Sequence, residues 1–545
     1  MRGTVTNRTG GSTAAPPVER PSRAEPAEDR IGRGKGDGSL TRRTASGLRW
    51  SYGAAAVNAV LQIAYVASMS RLLTPTAFGI MAMSQIIVNF GLYFSRMGVV
   101  QSLIQRDDTT EKDVRFCATT SLLIGAGVAA LFFVLAPSVG SFYDEPGVVP
   151  VVRALSATFV LLGLGVTSAG LLRRQMRFRE LAAIDVATSV AAMATGVTAA
   201  VLGAGVWSLV AATLTSNGLA TLLQFGRARH SLRPLFSAPH GRALYSAGAR
   251  FSVLRLTEFV GRNLDTITVG RYLGSGITGV YSRVYTLVQL PLSQYLSLAL
   301  GKVLFPSFAA IQSDRERLRR TIAGVLLLAS LVLIPAGAGM AVAGPELVGV
   351  VLGARFADGG VLVPFFAASA VLYVLSHIAQ LLCEAIAELN RTIAVQVAST
   401  VALLLMLIAV SGSDLWAFAA VLAVAEALRH AAYMVLLRRA VGLRPRDLVS
   451  AYVPSVSAAV VVAGAVALAR HLLLGAGAPA GVALVGEVAL GGIVLLACIR
   501  FLPFPWMRQE LQIRLQAMGV LRRQHGALPG LVRLVVGPLP TPAAS

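Results

Sequence analysis

Apolar runs of about 20 residues recur almost from end to end of this 545-residue chain, and this pattern constrains the fold more than any other feature. A helix of that length crosses the hydrocarbon core of a bilayer. A transmembrane β-barrel would instead show short segments of alternating polarity, and these runs do not alternate. Since 55% of the residues are hydrophobic and only 14% are charged, we predict an all-α polytopic membrane protein.

The charges between the apolar runs predict the topology. Fourteen transmembrane spans fit between residues 50 and 501, and Lys and Arg cluster in alternate loops, whereas the intervening loops contribute only Arg355 and Arg470. The positive-inside rule then places the basic loops and both termini in the cytoplasm, as expected for a multi-pass protein of the cytoplasmic (inner) membrane of a bacterium. Because the net charge of +22 is spread over these loops and forms no compact basic domain, nucleic-acid binding is not expected.

The family resemblance given below implies that the spans form two pseudo-symmetric six-helix bundles and a C-terminal helix pair. The predicted division is a disordered basic cytoplasmic tail over 1–48, an N-terminal six-helix bundle over 49–226, a cytoplasmic linker over 227–244, a C-terminal six-helix bundle over 245–437, helices 13 and 14 over 451–501, and a basic cytoplasmic tail over 502–545 that includes an interfacial helix.

An internal repeat supports the two-bundle prediction. When the chain is compared with itself at a shift of 200 residues, residues 70–79 lie over residues 270–279 with matching Arg, Leu and Gly. Six spans separate the copies, so they have the same orientation, as in a parallel repeat about an axis along the membrane normal. The shift places Asn58 on Glu258, Gln62 on Arg262, Tyr65 on Asp265 and Asn89 on Gln289. Two such polar faces, opposed across a pseudo-twofold axis, predict a central cavity.

One stretch, residues 249–273, is long enough to cross a bilayer and carries a stripe of charge. Its members are Arg255, Glu258, Arg262 and Asp265. The spacing i, i+3, i+7 and i+10 puts them on one helix face, which must meet protein or water because charge in lipid is costly. Arg255 and Arg262, with Arg283 of the next span, are candidates to bind an anionic substrate, since guanidinium grips phosphate oxygens bidentately. In the alternative interpretation the stripe's arginines and acids neutralise one another and fasten helices together.

The acids are candidates for ion coupling. Glu258 and Asp265 are the main ones, while Glu426, with Arg429 at i+3, and Glu487, which stands alone in span 14, are weaker candidates for a proton or sodium site. The sequence contains no His-Glu-x-x-His pair, phosphate loop, Gly-x-Ser-x-Gly elbow or Cys-x-x-Cys pair. We therefore predict a protein that is not an enzyme and that uses no catalytic residue, metal or cofactor.

Several short stretches resemble one family. They are Arg71-Leu72-Leu73-Thr74-Pro75, Ser102-Leu103-Ile104-Gln105-Arg106, Gln175-Met176-Arg177-Phe178-Arg179, Tyr281-Ser282-Arg283-Val284-Tyr285 and Leu304-Phe305-Pro306. Together they resemble the Wzx-type polysaccharide flippases, a polysaccharide transporter family of the multidrug/oligosaccharidyl-lipid/polysaccharide superfamily. The resemblance covers about residues 50–320; the last spans resemble the family only in hydropathy and number.

The resemblance implies a flippase that moves an undecaprenyl-diphosphate-linked oligosaccharide from the inner to the outer leaflet for cell-surface polysaccharide, lipopolysaccharide or exopolysaccharide assembly. Its implied partners are membrane lipid, a polysaccharide polymerase and glycosyltransferases. On this hypothesis Arg255 and Arg262 bind the head group, and the other cavity-lining candidates are Asn58, Gln62, Tyr65, Asn89, Arg283 and Gln289.

Three rival functions stay open at this point. An ion-coupled multidrug exporter of the same superfamily would favour acids in an aromatic cavity over several arginines. A lipid II flippase of peptidoglycan synthesis would make the gene essential. A membrane glycosyltransferase or polysaccharide polymerase would require a sizeable outward loop with catalytic residues, and the outward loops here are short and poor in charge.

Overall fold

A computed structural model describes residues 53, 57–58, 61–95, 110–231, 233–235, 249–504 and 506–507. The predicted tail over 1–48, most of the linker over 227–244 and nearly all of the tail over 502–545, with its predicted interfacial helix, lie outside the described residues. Within the described ranges the chain is helical and contains no strand.

The first half of the chain forms six helices among these residues. They are α1 (61–72), α2 (Pro75–Ser95), α3 (Glu111–Tyr143), α4 (Val148–Arg174), α5 (Phe178–Val201) and α6 (Val206–Arg227). The second half continues with α7 (Ala249–Gln289), α8 (Tyr295–Ala309), α9 (Arg315–Val342), α10 (Gly344–Val351), α11 (Val363–Ala385), α12 (Leu389–Ala409), α13 (Leu415–Val441), α14 (Pro445–Gly475) and α15 (Ala480–Phe501). Ten described helical segments are long and apolar enough to cross a membrane. The predicted all-α membrane class is confirmed, and the count of fourteen spans stays a prediction.

Helix α7 contains most of the predicted span over 245–272 and the first part of the predicted span over 277–301, which continues through the following π-helical turn into α8. Its continuity is broken at Gly274, whose φ of 77° and ψ of 177° lie outside the helical region. A side chain at positive φ would be strained, so glycine suits this sharp turn. After α7, the π-helical turn Leu290–Gln294 contains Pro291, which lacks the N–H needed by a regular helix and so favours a local irregularity.

The two halves share an apolar core. In one buried cluster, the ring of Phe78 in α2 meets the ring of Phe356 edge-on with centroids 5.8 Å apart, and Tyr281 of α7 meets Phe366 of α11 at 4.9 Å. Helix α2 packs along α7, α14 packs on α9, and α15 packs on α14. These contacts attach the last two helices to the second half of the chain.

The segment from Gly344 to Gly360, one of the outward loops between predicted spans, is largely helical. It holds α10 and the 3-10 helix Ala354–Leu362. Val348, Leu352 and Phe356 are fully buried. These apolar side chains are buried against the helix bundles, so the segment covers one end of the bundles.

Candidate functional site: a cavity between the two halves

A cavity of about 430 Å³ lies between the first half of the chain and helix α7. From the first half its polar lining includes Gln62, Tyr65, Gln85, Asn89, Thr213 and Ser216. From α7 it includes Arg262, Asn263, Thr266, Ser282, Arg283 and Thr286. Both parts of α7, before and after the turn at Gly274, therefore face the same space.

Five of the residues singled out in the sequence come together here. Gln62, Tyr65, Asn89, Arg262 and Arg283 all line the cavity. The 200-residue shift had aligned Gln62 with Arg262, and the fold brings these two positions to one cavity from opposite halves. Matching polar faces of the repeat thus meet across the interface.

Other predicted residues lie elsewhere. Among the described side chains, Asn58, Asp265 and Gln289 do not line this cavity. The carboxamide oxygen of Asn58 is buried and accepts no hydrogen bond from the described residues. Gln289 is buried and accepts a hydrogen bond from Ser293. Arg255 and Glu258 belong to α7, but their side chains lie outside those that the structure describes.

Asp265 is held by a tyrosine. Its carboxylate is buried and accepts a hydrogen bond of 2.8 Å from the hydroxyl of Tyr281, on the other side of the turn in α7. Asp265 forms no ion pair with Arg283 among the described contacts. The sequence did not predict the hydrogen bond of Tyr281, because the family-like motif that begins at Tyr281 does not indicate which acid its hydroxyl contacts.

Arg283 has a cavity-facing guanidinium that meets no carboxylate among the described side chains. The group lies 4.6 Å from the centroid of the Phe78 ring, and its buried Nε donates no hydrogen bond to the described residues. The nearby buried hydroxyl of Tyr65 likewise forms no hydrogen bond within the described part of the chain, and the two side chains interact electrostatically. Donors left free in this way are available to an anion.

Arg262 is oriented by an aromatic ring of the second half. Its Nη1 donates a hydrogen bond of 3.1 Å to the hydroxyl of Tyr373, and its guanidinium lies 4.7 Å from that ring's centroid. Arg429 lies 5.0 Å from the same centroid and donates from its Nε to Glu426 at 3.0 Å. The i, i+3 partnership of Glu426 and Arg429 was readable in the sequence, whereas Tyr373 stands in an apolar run that gave no sign of this role.

The electrostatic character of the cavity follows from these placements. Arg262 and Arg283 both come from α7, the first half contributes neutral amides and hydroxyls, and no acid is among the described residues that line the space. Cationic charge in a partly enclosed space costs desolvation energy unless an anion offsets it. The arrangement suits a ligand with an anionic group and a polar, hydroxyl-rich remainder.

The end of the interface that is predicted to face outward is closed by contacts between the halves. Arg71 donates from Nη2 to the backbone oxygen of Val350 in α10 at 2.6 Å. Ser275 donates to the carboxylate of Glu145 at 2.5 Å. Arg71, which belongs to one of the family-like motifs, thus joins the first half to the second.

Comparisons with known proteins agree with this architecture. A family model described as polysaccharide biosynthesis protein matches residues 68–359, more than half of the chain. The chain is 26% identical over 324 residues to the lipopolysaccharide biosynthesis protein WzxC of Escherichia coli (strain K12), which covers 58% of this chain and 65% of that protein. It is 24% identical over 299 residues to the teichuronic acid biosynthesis protein TuaB of Bacillus subtilis (strain 168), covering 54% and 62%. The matches thus span slightly less than two thirds of these relatives.

Two solved structures have a similar fold. The lipid II flippase MurJ in an inward closed conformation superposes with a TM-score of 0.62 at 11% identity, covering 86% of this chain and 99% of that one. An inward-facing multidrug resistance MATE family transporter of the MOP superfamily gives a TM-score of 0.56 at 14% identity, covering 71% and 94%. At these identities the likeness concerns the fold alone.

Proposed function

The chain belongs to the polysaccharide biosynthesis protein family, and on that premise we propose that it is a flippase for an undecaprenyl-diphosphate-linked oligosaccharide. It moves this lipid across the cytoplasmic membrane for cell-surface polysaccharide or exopolysaccharide assembly. The observation that carries the proposal is the cavity between the halves, to which α7 contributes Arg262 and Arg283 while the described lining contains no acid.

The two sides of the cavity match the two polar parts of such a substrate. Guanidinium groups bind diphosphate oxygens through charge-assisted, bidentate hydrogen bonds, so Arg262, Arg283 and Arg255 bind the head group. Amides and hydroxyls from the first half, among them Gln62 and Asn89, exchange hydrogen bonds with glycan hydroxyls. The prenyl chain stays in lipid, where its burial is favourable.

Alternating access completes the proposed cycle. The bundles over 49–226 and 245–437 rock about the interface, with the helices over 451–501 following the second bundle and both tails in the cytoplasm. Glu258 and Asp265 are the proposed ion-coupling acids. A polysaccharide polymerase and glycosyltransferases, which act after and before transport, are the proposed partners.

Export by arginine variants in a deletion strain tests the head-group role. We expect Arg262→Ala to leave lipid-linked oligosaccharide in the inner leaflet, where an externally added glycan-cleaving enzyme does not reach it, and Arg262→Lys to retain part of the export. Arg271→Ala is the matched control, because Arg271 lies on the same helix and is exposed outside the cavity. Full export by the Arg262→Ala variant at normal protein abundance would refute the proposed binding of the head group by Arg262.

A further inference from the structure

A second group of ionisable side chains lies away from the cavity, where α10, α14 and α15 meet. Arg470 of α14 donates from Nε to Glu346 of α10 at 2.9 Å. Glu487 of α15 interacts electrostatically with both of them. Glu346 is 7% exposed and Glu487 is 1% exposed. Two buried carboxyl groups and one partly exposed arginine, from three helices, thus meet at one junction.

Glu487 has no hydrogen-bond partner in the part of the chain that the structure describes. Both of its carboxylate oxygens, and Oε2 of Glu346, are buried without a hydrogen bond among the described residues. On the same helix Val485 and Val488 are 69% and 66% exposed, as side chains that face lipid are. An ionised carboxylate that is buried in a membrane helix without a hydrogen-bond partner strongly destabilises the fold.

The charges of this junction do not balance. Glu346 and Arg470 neutralise each other, so an ionised Glu487 leaves one net negative charge. Helices α9, α10 and α14 pack against α15, and the ionisable residues of α9 lie in its first turns, at the opposite end. His471 of α14 is exposed, and Arg500 lies at the far end of α15. Glu346 and Arg470 are therefore the ionisable groups that face Glu487 in the described part of the chain.

We propose that Glu487 and Glu346 form a binding site for one proton. A proton from water adds to a carboxylate oxygen of Glu487, the junction's net charge goes from −1 to zero, and the new O–H donates to the free Oε2 of Glu346; release reverses both changes. A hard metal cation takes about six or more oxygen ligands. Only three carboxylate oxygens are free here, whereas a proton needs one donor and one acceptor.

The site is placed to influence the contact between the halves. Glu346 lies in the first turn of α10, and Val350, near the end of the same eight-residue helix, accepts the hydrogen bond from Arg71 of the first half. Ionised Glu487 repels the carboxylate of Glu346, whereas protonated Glu487 donates a hydrogen bond to it. The protonation state of Glu487 therefore changes the force on Glu346 and so the position of α10. This linkage, unlike the proton site itself, rests on the proposed alternating-access function.

Infrared titration of the full chain in lipid nanodiscs tests the site without any substrate. Between about pH 5 and pH 9, the range in which buried carboxyls titrate, we expect a protonated-carboxyl band in the wild type that disappears as pH rises. Glu487→Gln should remove the contribution of one carboxyl from this band, measured as the difference between the wild-type and variant titrations, whereas Asp358→Asn, at an exposed acid of the neighbouring 3-10 helix, should leave the wild-type titration unchanged. An unchanged titration in Glu487→Gln, or a wild-type band constant over the whole range, would refute the site.

A second variant keeps the test decisive if Glu487→Gln fails to fold. Arg470→Gln removes the positive charge that favours ionised Glu487, so its band should persist to a pH higher by roughly one unit or more. An unmoved band would also count against the site.

Spin labels at Leu72 and Val361, both exposed on opposite halves, test the linkage separately. Their distance distribution should depend on pH in the wild type and not in Glu487→Gln. A pH-dependent distance in both proteins would refute the linkage and leave the titrating site intact.

Discussion

Gly79 of α2 lies directly against the backbone of Ser275 in α7: a Cβ atom on Gly79 would come within 1.7 Å of the Ser275 carbonyl oxygen. The contact is reciprocal, since a Cβ on Gly279 would come within 1.8 Å of the carbonyl oxygen of Pro75. Residues 79 and 279, and residues 75 and 275, are each related by the 200-residue shift. The two copies of the repeat therefore meet about a local pseudo-twofold axis.

The first prediction concerns this contact. Gly279→Ala forces the two backbones apart, and overpacking of this kind costs roughly 1–3 kcal/mol. We expect a lower thermal unfolding midpoint and faster labelling of a cysteine introduced at the outer end. Gly276→Ala is the matched control, because its Cβ would have Thr76 Oγ1 as its nearest neighbour at 3.8 Å, an ordinary contact. Equal midpoints for the two variants would contradict the prediction.

The second prediction concerns the buried acid of α7. Tyr281→Phe removes the hydroxyl that donates to Asp265 and leaves a buried carboxyl without that bond, a loss of about 1–3 kcal/mol in the free energy of unfolding. Chemical denaturation of the purified protein measures this loss in the free energy of unfolding. Tyr285→Phe, in which the next tyrosine along the same helix face loses its hydroxyl, should be much closer to the wild type. If both variants lose the same stability, the Tyr281–Asp265 bond does not stabilise the fold.

The third prediction concerns the positioning of Arg262. Tyr373→Phe keeps the ring beneath the guanidinium but removes its hydrogen bond. A hydrogen bond to a charged group contributes about 1.5–3 kcal/mol, so we expect binding of a diphosphate probe to weaken by roughly tenfold or more. Calorimetry on the purified protein measures the affinity. Tyr272→Phe, at an exposed tyrosine of α7, should bind as the wild type does, and undiminished binding by Tyr373→Phe would rule out this role.

The fourth prediction concerns pH and the inner ends of α9 and α14, outside the predicted spans. Hydrogen bonds from Arg319, and then from Arg320, lower the pKa of Glu316 from 4.5 to about 2. Arg319 also donates to Asp447 at 2.7 Å and so joins α9 to α14.

A lowered folded-state pKa means that the stabilisation by Glu316 is fully present above about pH 4.5 and is lost as pH falls toward 2. Thermal midpoints recorded over this range should fall less steeply for Glu316→Gln than for the wild type. Glu111→Gln, at an exposed carboxylate in the first turn of another helix, serves as the control. Parallel pH profiles for the wild type and Glu316→Gln would exclude this contribution.

The sequence was sufficient for the parts of the structure that depend on local periodicity. Apolar runs predicted the helices, and the 200-residue shift aligned Gln62 with Arg262, which the fold brings to one cavity. The pair Glu426 and Arg429 was readable because residues three apart meet on one helix face.

Contacts between distant segments could not be predicted in the same way. Arg71 and Val350 are 279 residues apart, and no periodicity relates them. Asp265 binds Tyr281 across the turn at Gly274, a geometry set by one backbone angle and not by helical spacing. The segment that became α10 was interpreted as a loop because it is short and contains Gly and Pro, and its order comes from side chains buried against other helices.

The two cavity arginines both belong to α7, and this one-sided placement has a kinetic consequence. In the proposed alternating-access cycle, a diphosphate bound by the guanidinium groups of α7 keeps those contacts while the first half moves past it, so the proposed conformational step breaks none of those hydrogen bonds. The rate of that step is then independent of how tightly the anion is bound. Dissociation in this proposed cycle is governed instead by water that enters the newly opened side and replaces the arginines as the hydrogen-bonding partner of the diphosphate.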